Sequence, residues 1–188
     1  MTASRRLLLF CMLFVPVTAI LMAEEQSGNR AGSSPEPLVT KNRVQFNLAG
    51  AELILAAAKK KAASMGLKLN LAVVDDGGHL LAFARMDGAR PASGYTAMTK
   101  AVTAATFRQE TGPLPPRGEP DILLNLSLQN AALASGGKVT TLKGGVPVVV
   151  DGQVIGGVGV GGGTGEQDAE VAKAGIAALL DALKDVTR

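Results

Sequence analysis

The chain is 188 residues long, carries a formal net charge of +3 from 19 basic and 16 acidic residues, and is 3% aromatic. That length suits one domain with a proper hydrophobic core. So small a charge excess leaves no footprint for nucleic acid, and so few rings exclude a base-stacking surface.

Met1-Thr2-Ala3-Ser4-Arg5-Arg6 places positive charge ahead of an apolar run from Leu7 to Met22. Charge, apolar run and then a small residue is the order of a secretory signal peptide. Residues 1–23 are read as that signal, with Ala23 its last residue. The run falls short of the ~20 apolar residues that cross a bilayer, and Pro16 interrupts it. No stable membrane span is expected after cleavage, and the expected location is exported, periplasmic or secreted. Ser4-Arg5-Arg6-Leu7 also suits the twin-arginine route. Cleavage removes Arg5, Arg6 and Cys11, the single cysteine, leaving 17 basic against 16 acidic residues, or +1. The mature chain then has no disulfide, and its stability rests on its core.

Residues 24–41 are rich in Gly, Ser and Pro without apolar period and read as a flexible linker. The domain proper is expected over residues 42–188. Asn47 caps a helix to about Met65, with Leu48, Ala51, Leu55, Ala58, Ala62 and Met65 on one face. Lys59, Lys60 and Lys61 read as a solvated face near its end, and Gly66 stops it. Leu69–Val74 and His79–Arg85 form a hairpin around Asp75-Asp76-Gly77-Gly78. A helix rich in small residues runs from Ser93 to Arg108, and a proline-rich loop and a short helix over 120–134 follow. Val146–Val150 and Gln153–Val160 form a second hairpin. The last helix starts at Gly165, with Thr164 and Gln167 spaced as a capping box. Hairpin-joined strands are antiparallel, so the expected class is α/β: an α/β/α sandwich on a central antiparallel sheet, as in profilin-like folds.

Gly157-Val158-Gly159-Val160-Gly161-Gly162 matches half of a dinucleotide fingerprint. The strand and acidic residue that should follow are missing. The run then reads as a place where backbone packs closely on a neighbouring subunit or ligand, or as N–H groups offered to an anion at a helix start. His79 is the single histidine, so one chain holds no histidine cluster. It reads either as a structural or exposed residue, or as an axial metal ligand or proton carrier. Arg85 and Asp87 flank a turn, where they either bridge it or hold an anionic ligand through the guanidinium fork.

Five motifs occur in order: Val73-Val74-Asp75-Asp76-Gly77-Gly78-His79-Leu80, Arg85-Met86-Asp87-Gly88-Ala89, Lys100-Ala101-Val102-Thr103-Ala104-Ala105-Thr106-Phe107, Gly144-Gly145-Val146-Pro147-Val148 and Gly165-Glu166-Gln167-Asp168. Together they resemble the GlcG/HbpS family, which includes the C-terminal domain of PduO, over roughly residues 44–185. The resemblance implies a profilin-like fold, homo-oligomers (often octamers), and haem binding in some members. It implies an iron ligand at Thr111, in the loop after the second helix; His79, read above from the sequence itself, is the other candidate. Arg85 and Lys100 match motif positions and would meet ligand carboxylates, Lys100 equally serving as a partner of Asp87 or Asp168. The function expected is an exported small-ligand-binding protein taking haem or a related tetrapyrrole, for capture or redox sensing. An enzyme on a small organic acid, using Arg85 with Asp87, His79 or Lys100, and a non-catalytic oligomeric sensing or scaffold module are the alternatives.

Overall fold

The computed structural model describes residues 41–186. The expected signal peptide and the expected linker up to residue 40 lie outside the described residues. The elements run α1 (Leu48–Ser64), β1 (Asn70–Asp75), β2 (Leu80–Arg85), α2 (Ser93–Phe107), α3 (Ile122–Ala134), β3 (Gly145–Val150), β4 (Gln153–Gly161) and α4 (Gly165–Val186). All strand pairs are antiparallel, in the order β2-β1-β4-β3. Helices α1 and α4 cover one face and α2 the other, which is the expected α/β/α sandwich. Among the described residues no helix is long and apolar enough to cross a membrane.

The Asn47 side chain accepts the Gly50 N–H at 2.9 Å and starts α1. Its buried stripe is Ala51, Ile54, Leu55, Ala58 and Ala62. Leu48 is half exposed instead of buried, because the stripe turns toward α4 and takes in Ile54. Helix α3 has the opposite balance: Asp121 caps it, yet only Leu128 is buried while Ile122, Leu123, Leu126 and Leu133 face outward.

The glycine run on β4 packs on this chain's own α2, not on a neighbour or a ligand. A Cβ at Gly157 would overlap the Ala101 carbonyl, one at Gly159 the Ala97 carbonyl, and one at Gly161 the Ser93 carbonyl. The intervening Val158 and Val160 point into the core on the other face.

At the start of α4, the Gln167 carboxamide oxygen accepts the Thr164 N–H at 2.9 Å and the Thr164 hydroxyl accepts the Gln167 N–H at 3.3 Å. The capping box read from the sequence is therefore formed. Thr164→Ala is expected to lower stability by about 1 kcal/mol. Urea denaturation followed by circular dichroism checks it, with the midpoint falling at unchanged slope.

Candidate functional site

The five site residues fall in three places. Lys100 and Thr111 belong to a buried node that joins α2, β3, β4 and α4. Lys100 is 5% exposed and Asp168 is 1% exposed. The Lys100 Nζ donates to Asp168 Oδ2 at 2.7 Å and to the Val160 carbonyl at 2.8 Å. Of its expected partners, then, Lys100 has Asp168. Asp168 Oδ1 accepts the Gly163 N–H at 3.0 Å, so the helix start is filled by the chain's own carboxylate rather than left for an anion. Thr111, also 5% exposed, is stitched to β3. Its N–H donates to the Gly145 carbonyl at 2.9 Å, and its hydroxyl accepts the Gly145 N–H at 2.7 Å. Gly144 is required here: its φ is +121°, and a Cβ would lie 2.9 Å from the Lys100 Nζ. At the surface nearby, the backbone N–H of Glu166 and then Lys143, 3.2 Å away, hold the Glu166 carboxyl below the usual carboxylate range.

His79 and Arg85 stand at opposite ends of β2, about 20 Å apart along an extended strand. Helix α2 packs over β1, β3 and β4 and leaves the edge strand β2 largely uncovered. Directly opposed residues of an antiparallel pair share a face. Arg85 opposes Asn70, Phe83 opposes Ala72, and Leu80 opposes Val74. Ala72 and Val74 pack on α2, so Leu80, Phe83 and Arg85 line the same side, beside the helix. The result is a groove between β2 and α2. At one end Phe83, Arg85, Pro91, Tyr95 and Met98 line a cavity of about 520 Å³. At the other, Gly78 lies against Val102 and Thr106, while His79, which opposes Asp75, turns its ring to the other side of the sheet.

Two side chains near the groove carry unused polar capacity. The His79 Nδ1 lies 3.3 Å from both oxygens of Asp75, whose Oδ1 also accepts the Gly77 and His79 N–H groups. The ring is oriented through Nδ1, and Nε2 has no hydrogen bond among the described residues. A carboxylate on one ring nitrogen with the other free is the arrangement seen in histidines that ligate metals. Below the cavity, Asn70 is fully buried and its Nδ2 donates to the Arg90 carbonyl at 3.0 Å. That bond fixes the amide's orientation and leaves Oδ1 without a partner. Gly94 lies over it: a Cβ there would sit 3.4 Å from the Phe83 ring and 3.6 Å from Asn70 Oδ1.

Arg85 also borders a second cavity, on the α1 side, where Asp87 joins it. The two make no ion pair, so neither bridges the turn through the other. Sequence reading missed Phe83, Tyr95, Met98 and Asn70. The signal was present in part: Phe83 precedes Arg85 by one strand period, and Tyr95, Met98 and Val102 form a stripe of larger residues on an alanine-rich helix. Among the described residues no group of three or more His, Cys, Asp or Glu side chains could hold a bare metal ion.

Comparison with known proteins gives a consistent picture. Residues 46–177 match the family model described as haem degrading protein HbpS-like. Protein GlcG of Escherichia coli K12 is 45% identical over 120 residues, 64% of this chain and 84% of GlcG. A crystal structure of a variant of Streptomyces reticuli HbpS has a TM-score of 0.61 at 29% identity, covering 78% of this chain and 99% of that one. The chain of a solved PduOC–haem complex has a TM-score of 0.60 at 27% identity, covering 72% of this chain and 95% of that one.

Proposed function

This chain belongs to the HbpS-like family, and we propose on that premise that it is an exported protein that binds haem or a related tetrapyrrole, for capture or redox sensing. The observation that carries this reading is the uncovered β2–α2 groove, apolar along Leu80, Phe83 and Met98, with a guanidinium at one end. These residues fit the group. Flat apolar wall suits the macrocycle and Arg85 suits a carboxylate, while the free Nε2 of His79 suits iron in its chemistry but stands at the strand end, on the far side of the sheet from that wall. Thr111 is the less suitable iron ligand, since its hydroxyl already accepts the Gly145 N–H inside the fold. A bound haem would supply a redox-active iron. The chain's own residues would hold the flat body against Phe83 and Met98, keep the His79 ring oriented through Asp75, and anchor an acidic edge at Arg85. The exposed apolar side of α3 supports the accompanying proposal of a homo-oligomer.

Haemin titrated into the purified protein should give a saturable shift of the Soret band. His79→Ala should change the spectrum of the complex, and Arg85→Ala should weaken binding about tenfold, equivalent to about 1.4 kcal/mol. Thr111→Ala should act through stability, leaving the spectrum as in the parent. A Soret band that stays put at saturating protein would sink the reading. Native mass spectrometry on the same preparation reports the subunit number and any copurified ligand.

A further inference from the structure

The second cavity at Arg85 lies outside the β2–α2 groove proposed for haem. It measures about 540 Å³ and lies between the end of α1 and the turn after β2. Lys59, Lys68 and Arg85 converge on it with Asp87, over a floor that includes Leu67 and Met86. None of the three cations makes an ion pair among the described residues, although other surface lysines of the domain, such as Lys61, Lys143 and Lys173, do. With one acid against three bases, the cavity holds an excess of two positive charges. Clustered like charge opposes folding and favours an anion that relieves it.

The position of Lys68 is built in. Gly88 has φ +79°, and a Cβ there would lie 2.9 Å from Lys68 Cδ and 3.0 Å from its Nζ. The bare backbone of the turn thus lets the lysine stem cross it and brings the ammonium beside the turn's own Arg85 and Asp87. One turn, Arg85 to Ala89, presents a guanidinium and a carboxylate and leaves passage for a second cation.

We propose that this cavity binds an amphipathic carboxylate. The carboxylate meets the Arg85 fork and the Lys68 ammonium, and the apolar body lies on Leu67 and Met86. Asp87 disfavours anions of higher charge. The site does not depend on haem binding, but it shares Arg85 with the β2–α2 groove, so a ligand in either place competes for the same guanidinium.

Calorimetric titration of decanoate into the full exported chain at low salt tests this, with decanol and inorganic phosphate as comparison probes. Decanoate is expected to bind saturably, and each comparison probe at least tenfold more weakly. Lys68→Ala and Lys59→Ala/Lys68→Ala should weaken decanoate at least tenfold without lowering the melting temperature, and His79→Ala should leave it unaltered. Arg85→Ala should weaken both decanoate and haemin. Absence of saturable decanoate binding, or a double lysine variant that binds like the parent, overturns the proposal. Failure of the haem reading alone shows separately, as an unshifted Soret band in a protein that still binds decanoate.

Discussion

Lys100→Met is expected to cost the domain about 3–5 kcal/mol, the usual penalty for leaving one member of a buried ion pair alone. Native domains are stable by only about 5–15 kcal/mol, so this single change removes a large share of the total. Methionine keeps most of the lysine's volume, which removes cavity formation as the cause. What is lost is the ammonium that meets both Asp168 Oδ2 and the Val160 carbonyl. Asp168 then remains 1% exposed with a charge and only the Gly163 N–H to answer it. Asp168→Asn is expected to cost a similar amount, since a single amide oxygen cannot accept from both Gly163 and the Lys100 ammonium, which stays buried without its countercharge. Combining Lys100→Met with Asp168→Leu should cost less than the sum of the two single changes by at least about 1 kcal/mol, the coupling expected of groups in one network. Equilibrium urea unfolding of the four proteins measures the cycle. Additive costs would mean that Lys100 stabilises the fold through something other than Asp168.

The same node explains why three of the five ordered motifs exist. Lys100 comes from the third, Gly144 and Gly145 from the fourth, and Asp168 from the fifth, and they meet within one cluster. Periodicity and turn chemistry were enough to place both hairpins, the capping box at Thr164 and the caps of α1, because those signals are local. They were not enough to separate framework from site. Lys100 and Arg85 both read as cations able to meet a carboxylate, and which one is free depends on a partner 68 residues away from Lys100. Likewise, Lys59 read as part of a solvated lysine run, because the turn that faces it across the cavity is built from residues 85–89. Long-range pairing decides such cases, and a single sequence does not carry it. The groove was legible only at one end, as Arg85. Its wall comes from a helix that covers three strands and stops short of the fourth, which no residue pattern on β2 announces.

Gly159→Ala should destabilise the domain by about 3 kcal/mol, the upper end of the usual range for overpacking, because nothing nearby can yield. The added methyl would overlap the Ala97 carbonyl oxygen and the Ala101 nitrogen, both backbone atoms inside α2. No rotamer change relieves such a clash, so the helix must lift from the sheet. The spacing is matched along the whole contact: four helical residues rise about 6 Å, and two strand residues extend about 6.6 Å. Ser93, Ala97, Ala101 and Ala105 on α2 therefore keep step with Gly161, Gly159 and Gly157 on β4. Lifting α2 at one glycine loosens it at the others. Gly112→Ala is the control, because a Cβ there has nothing within 4 Å and the backbone is not left-handed. Its melting temperature should stay within about 2 °C of the parent, as for a surface change worth under ~0.5 kcal/mol. Thermal unfolding by circular dichroism reads both variants, and a Gly159→Ala protein that melts with the control would refute the close-packing role. The consequence for function follows from the same geometry. Helix α2 carries Tyr95, Met98 and Val102 along one wall of the groove, so any residue that displaces it from β4 also changes the width of the groove beside β2. In the Gly159→Ala protein, whatever fraction remains folded should bind haemin more weakly than the parent, although Gly159 itself lies beneath the helix, buried and away from that surface.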